Sequence, residues 1–143
     1  ALDVSIQAQI IALLKKVCRE HGAAVMLVTH DMGVIAETCD RVAVMYAGRI
    51  VEIGPVSDVI HRPAHPYTVG LMGSIPAMDE DRERLLQIDG AMPRLNAIPA
   101  GCAFNPRCPQ VFDRCRQARP DLASAGATRA ACWLVDARTA ADA

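Results

Sequence analysis

The chain has 143 residues, 52% of them apolar, 3% aromatic and 22% charged, with a formal net charge of −1. This is material for one packed domain and excludes wholesale disorder; a balance so close to neutral argues against a nucleic-acid binder that works through bulk charge. The scarcity of aromatics predicts an aliphatic core, and no run approaches the roughly 20 apolar residues of a membrane span. No charged-then-apolar leader follows Ala1, so no secretion signal is expected and the sequence reads as a segment of a larger protein.

Ser5–Glu20 is predicted as a helix, because Ile6, Ile10, Leu14 and Val17 recur every three or four residues. Asp3 or Ser5 can cap its start, and Gly22 stands where a left-handed stop belongs. Ala24–Thr29 (AVMLVT) is a short continuous apolar run, predicted as a strand buried on both faces. Asp31–Cys39 follows as a short helix. Arg41–Tyr46 and Arg49–Ile53 read as two strands around an Ala47-Gly48 turn. Asp58–His61 closes as a short helix before Pro63, and Tyr67–Ser74 as another. Asp79–Arg84 is a charge run suited to a solvated face. From Pro93 to Pro120 prolines and cysteines exclude long regular elements. Helix, buried strand, helix and hairpin in that order suit the end of an α/β domain.

Residues 27–34 (LVTHDMGV) bring Thr29-His30-Asp31 to the carboxyl end of the predicted strand, where α/β sheets bind ligands. An imidazole there can hydrogen-bond a terminal phosphate oxygen or an attacking water; the plainer alternative is that Asp31 caps the next helix and His30 is incidental. His65, before Pro66-Tyr67, reads first as a turn anchor with Pro66 opening a helix.

Six cysteines are present, and Cys102, Cys108, Cys115 and Cys132 crowd the last 42 residues as C-x5-C-x6-C-x16-C. In a reducing compartment such a group points to metal more than to disulfides. Four thiolates suit tetrahedral Zn²⁺ or a cubane iron–sulfur cluster. The lack of a C-x2-C knuckle and the presence of Cys108-Pro109 lean toward the cluster; unligated thiols or adventitious disulfides are the plainer alternatives. Arg107, Arg114, Arg116 and Arg119 offer charge balance for an anionic centre or simply a solvated face. Cys18 and Cys39 read as small buried hydrophobes.

These segments together resemble the ATP-binding subunits of the oligopeptide/dipeptide (peptide/nickel) ABC importer family. ALDVSIQAQI is similar to the D-loop and following helix of an ABC ATPase, and His30 stands where that class has its switch histidine. Tyr46–Pro55 (YAGRIVEIGP) resembles the closing strand pair, His65-Pro66-Tyr67-Thr68 the subfamily's C-terminal signature, and the four late cysteines its cysteine-rich tail. The resemblance implies an α/β fold: residues 1–60 as the C-terminal part of an ABC-type P-loop nucleotide-binding domain, 61–134 as an irregular Cys-rich extension, and 135–143 as a disordered tail. It implies ATP and Mg²⁺ as cofactors of the whole subunit, with Asp3 communicating across the ATPase dimer and His30 at the terminal phosphate. It allows a [4Fe–4S] cluster, or less readily Zn²⁺, on Cys102, Cys108, Cys115 and Cys132, since some members of the subfamily carry a cluster. The implied partners are a second, homologous ATPase subunit, membrane permease subunits and, indirectly, an extracytoplasmic solute-binding protein, with no nucleic acid. The implied location is the cytoplasmic face of the inner membrane.

The sequence holds no Gly-Lys and no Gly-Gly pair, hence no phosphate loop and no usual ABC signature. Asp79-Glu80 follows Pro76 and leads into charge, unlike a catalytic pair leaving a buried strand. The segment alone is therefore expected to be inactive as an ATPase. The rival reading is a stand-alone metal-binding or electron-transfer module with residues 1–60 as scaffold.

Overall fold

The computed structural model describes residues 4–74 and 87–135. Asp3, the Asp79–Arg84 run and residues 136–143 of the expected tail lie outside the described residues. The chain divides into two compact units, Ala1–Asp40 and Arg41–Ala143.

In the first unit, helix α1 spans Val4–His21, and Gly22 takes the left-handed conformation at its end (φ +62°), as the apolar period and the glycine predict. Helix α2 spans Met32–Thr38. Asp31 caps it by accepting from the Val34 N–H at 3.2 Å, while the Asp31 N–H donates to Thr29 Oγ1 at 3.0 Å. Lys15 donates to the Glu37 carbonyl and so links the two helices.

The predicted strand over Ala24–Thr29 does not form: no residue in it joins a β-ladder. Val25 is 52% exposed, and Met26 and Val28 are each 90% exposed. A strand pattern that is apolar on both faces specifies neighbours on both faces, and a single segment without them has neither ladder bonds nor burial to hold it. The stripe of α1 is likewise half covered, with Ile6, Ile10 and Val17 all exposed.

The second unit is built on a four-stranded antiparallel sheet in the order β1 (Arg41–Tyr46), β2 (Arg49–Pro55), β4 (Thr128–Ala130), β3 (Ala123–Ala125). Strands β1 (Arg41–Tyr46) and β2 (Arg49–Pro55) form the predicted hairpin, with a register shift between Val44 and Met45. Ala47 and Gly48 both have positive φ (+47° and +77°) at its turn, the geometry that matches the twist of the flanking strands. Helices α3 (Val56–His61) and α4 (Pro66–Gly73) follow. A 3-10 turn at Asn105–Arg107 and the five-residue helix α5 (Asp113–Gln117) interrupt the irregular stretch. Strands β3 (Ala123–Ala125) and β4 (Thr128–Ala130) then make a small hairpin that adds to β2, pairing Glu52 with Ala130 and Ile53 with Arg129. The sequence pattern does not predict this hairpin. Each strand has three residues, too few for a period-2 signal, and only Gly126 (φ +64°) marks the turn.

The core of this unit corrects the aliphatic expectation. Val44, Val51 and Val59 pack with Tyr46 and Phe104. Tyr46, Tyr67 and Phe104 form a triangle with centroids 4.7, 5.3 and 5.5 Å apart, so few aromatics suffice when they gather at one point. Arg107 extends this cluster, donating to Tyr46 Oη (3.3 Å) and to the carbonyls of Ile88 (3.0 Å) and Asp89 (2.8 Å). No helix among the described residues is long and apolar enough to cross a membrane.

Candidate functional site

The local chemistry of the second unit begins at Glu52, a carboxylate with no exposed surface in the middle of β2. A buried charge of this kind persists only when its oxygens are paired. Here they accept from the N–H groups of Ala64 (2.8 Å) and His65 (3.0 Å), with Thr128 Oγ1 at 3.5 Å. One side chain thus ties β2 to the loop before α4 and to β4. Gly54 lets β4 come close, since a Cβ there would stand 2.7 Å from Thr128 Cγ2.

His65 is the next element and is 1% exposed. Its Nδ1 accepts from the Tyr67 N–H at 3.1 Å and caps α4, with Pro66 in the first turn, as the His-Pro-Tyr reading predicts. Burial pushes its pKa down to about 4, with the Ala131 carbonyl drawing it up slightly. The imidazole is therefore neutral near pH 7, and because Nδ1 accepts, the ring proton sits on Nε2. That Nε2 is buried with no partner at good hydrogen-bond geometry, and the Ala131 backbone is the group that interacts with the ring and draws its pKa up.

Cys102, Cys108, Cys115 and Cys132 line one pocket, and His65 and Phe104 line it with them. They arrive from the turn before Asn105, from the residue after the 3-10 turn, from α5 and from just beyond β4. Gly101 makes the approach of the first and third possible. It has φ +74°, and a Cβ there would lie 2.3 Å from the Cys115 carbonyl oxygen. That oxygen accepts the Cys102 N–H at 2.8 Å. Burial raises the thiol pKa values of Cys102 and Cys108, and that of Cys132 to about 11. Backbone hydrogen bonds oppose the shift, from Phe104 and Asn105 at Cys102, Gln110 at Cys108 and Leu134 at Cys132. The remaining causes are mutual: Cys132 feels Cys102, Cys108 and Cys115.

The chain contains six free cysteines; Cys18 and Cys39 lie in the other unit and are half-buried rather than buried. Among the described residues no group of three or more His, Cys, Asp or Glu side chains is arranged to hold a metal ion. Of the arginines that could balance charge, Arg107 is engaged with Tyr46 and the 88–89 backbone, Arg114 lies 3.6 Å over the Trp133 ring, and Arg116 pairs with Asp113 at 3.7 Å. His30 is exposed on the bend between the Ala24–Thr29 segment and α2. Sequence reasoning misses Glu52; its one signal is an acid set inside an otherwise apolar strand.

Residues 51–115 match the family described as the oligopeptide/dipeptide transporter C-terminal region. The oligopeptide transport ATP-binding protein OppD of Salmonella typhimurium is 47% identical over 120 residues, 84% of this chain and 36% of that protein. The dipeptide transport ATP-binding protein DppD of Bacillus subtilis is 46% identical over 139 residues, 96% of this chain and 42% of its own length. The OppD protein of Mycobacterium tuberculosis is 49% identical over 147 residues, covering 99% of this chain and 24% of that protein. The mixed helices and antiparallel sheet are consistent with the C-terminal region of an ABC-type ATPase subunit. Over most of its length the chain is similar to the ATP-binding subunits of oligopeptide and dipeptide transporters. It spans between a quarter and about two fifths of the length of these relatives.

Proposed function

We propose that this chain is part of a subunit that hydrolyses ATP to drive peptide import, working as one of two homologous ATPase subunits beneath membrane permease subunits at the cytoplasmic face. An extracytoplasmic solute-binding protein would deliver the peptide. The observation that carries this reading is identity of 46–49% sustained over 84% or more of the chain. Residues 1–60 would close the nucleotide-binding domain, with Ala24–Thr29 buried as a strand once neighbours flank it, and 61–134 would be the extension.

In this reading Asp3 communicates across the ATPase dimer and His30 meets the terminal phosphate of Mg²⁺-bound ATP. The sequence holds no phosphate loop, so a contact from His30 to that phosphate is the part of catalysis this chain would supply. Asp31 caps α2, which holds the start of that helix and the adjoining histidine in a defined place. In the complete subunit, His30→Ala should lower ATP turnover about 10²–10³-fold while leaving nucleotide affinity nearly unchanged, because a phosphate contact acts mainly in the transition state. Unchanged turnover in steady-state assays would leave Asp31 as a helix cap and His30 with no part in hydrolysis.

The same reading gives the second unit a metal centre on Cys102, Cys108, Cys115 and Cys132. Four thiols around one pocket, with backbone donors directed at three of them, fit the donor set of a [4Fe–4S] cluster. A single Zn²⁺ with bonds of about 2.3 Å would draw four sulfurs into a tight tetrahedron, whereas a cubane spreads its ligands wider. When bound, the cluster would supply a redox-active cross-link between the loop, α5 and the residues just beyond β4.

A further inference from the structure

We propose that His65 donates its Nε2–H to the sulfur shell of the four-cysteine centre and thereby holds and tunes it; this rests on the metal reading above. Three observations converge. The α4 cap uses Nδ1 as acceptor, through the Tyr67 N–H at 3.1 Å, which fixes the proton on Nε2. Nε2 is buried with no hydrogen-bond partner, in a residue only 1% exposed. His65 lines the pocket that the four cysteines share.

A buried donor without an acceptor is costly, and native structures rarely leave one unexplained. Neutral thiols are weak acceptors; metal-bound thiolate or sulfide is a strong one. The orphaned N–H and the thiols thus complement each other once the thiols give up their protons to a metal. Glu52 makes the arrangement rigid from behind, because it accepts the His65 backbone N–H at 3.0 Å while sitting on β2. The ring is clamped at its backbone, at Nδ1 and against Phe104 (centroids 5.9 Å apart), leaving Nε2 with the Ala131 backbone nearby but no hydrogen bond of good geometry. The role is positional and electronic: a hydrogen bond to a cluster sulfur stabilises the more negative, reduced state and raises the potential.

The test uses the full chain, loaded with iron and sulfide without oxygen. His65→Asn keeps a side-chain oxygen to cap α4 but cannot present a donor where Nε2 lies; His65→Gln reaches that place with an amide N–H. Cluster loss to an iron chelator should be about 10–100-fold faster in His65→Asn, the size of effect usual for groups that hydrogen-bond metal ligands. Its midpoint potential should fall, and His65→Gln should move both quantities back toward wild type. In the wild-type chain, histidine labelled with ¹⁵N should show a hyperfine coupling to the reduced centre in pulsed EPR, a readout that needs no variant. A loaded wild type without that coupling, or a His65→Asn chain with wild-type retention and potential, overturns the assignment of His65 alone. A wild-type chain that takes up no iron overturns the four-cysteine reading and His65 with it.

Discussion

The two units of this chain use their aliphatic residues differently. In residues 1–40 only Ile35 is buried among the described residues, while Ile6, Ile10, Leu13, Val17, Val25, Met26 and Val28 are exposed. In residues 41–143 a core closes around Tyr46, Val59 and Phe104, although Met45, Ile50, Val69, Met92, Leu95, Ile98 and Phe112 stay exposed. The difference lies in partners within the sequence. β1 meets β2 after a two-residue turn, and β2 then meets β4 from 76 positions away through the Glu52–Thr128 contact. Ala24–Thr29 has a strand's composition and no strand beside it. Apolarity states that a segment needs covering; it does not supply what covers it.

The sharpest way to break the ordered unit is at Gly101. An alanine there would combine a positive φ with a Cβ 2.3 Å from a backbone oxygen that has no rotamer to escape into. Left-handed strain of about 1–2 kcal/mol and overpacking of about 1–3 kcal/mol together predict a loss of roughly 2–5 kcal/mol for Gly101→Ala, read as a fall in urea midpoint. A midpoint within error of wild type would mean the Cys102–Cys115 juxtaposition is not held as described.

Acid should come next. His65 has a pKa pushed from 6.5 down to about 4 in the folded chain, so the unfolded state binds its proton first as pH falls. Its contribution is intact above about pH 6.5 and is lost progressively down to about pH 4, about 3 kcal/mol in all by linkage. Urea unfolding of the metal-free chain at pH 7 and pH 4.5 should show this loss in wild type. The loss should be smaller in His65→Asn, which has nothing to titrate at that position. Equal pH slopes in the two proteins would remove His65 from the account of acid stability.

The smallest effect should fall in the first unit. Met26→Ser, at a side chain 90% exposed, should change stability by no more than about 0.5 kcal/mol. Val59→Ala, at a side chain with no exposed surface, should cost about 2 kcal/mol. Equal costs would erase the contrast between the units.

Much of this is legible in the residues. The apolar period of α1, the Asp31 cap, the Ala47-Gly48 turn and Pro66 at the head of α4 each act locally, over a few bonds, and each appears where the sequence predicts it. What is not legible depends on distance. Nothing in Ala123–Ala130 announces a hairpin, because its pairing is decided by Gly54 yielding space to Thr128 and by the Ala131 N–H donating to the Val51 carbonyl at 2.8 Å. Glu52 stands out as an oddity in a strand, but its three partners come from positions 64, 65 and 128. The cysteine spacing brings four thiols into one stretch, and the fold does gather them around one pocket, but no group arranged to hold a metal ion occurs among the described residues. That Ala24–Thr29 forms no strand here follows from the same limit: pattern encodes a demand, and its satisfaction is long-range.

The central claim is that the four late cysteines serve one cluster. It is tested most directly by iron, zinc and labile-sulfide content of the full chain prepared without oxygen, alongside Cys132→Ser and Cys18→Ser. The account predicts iron and sulfide in equal amounts with broad visible absorbance, lost in Cys132→Ser and retained in Cys18→Ser. Protein carrying neither iron nor zinc, or a Cys132→Ser chain with its full metal load, would contradict it.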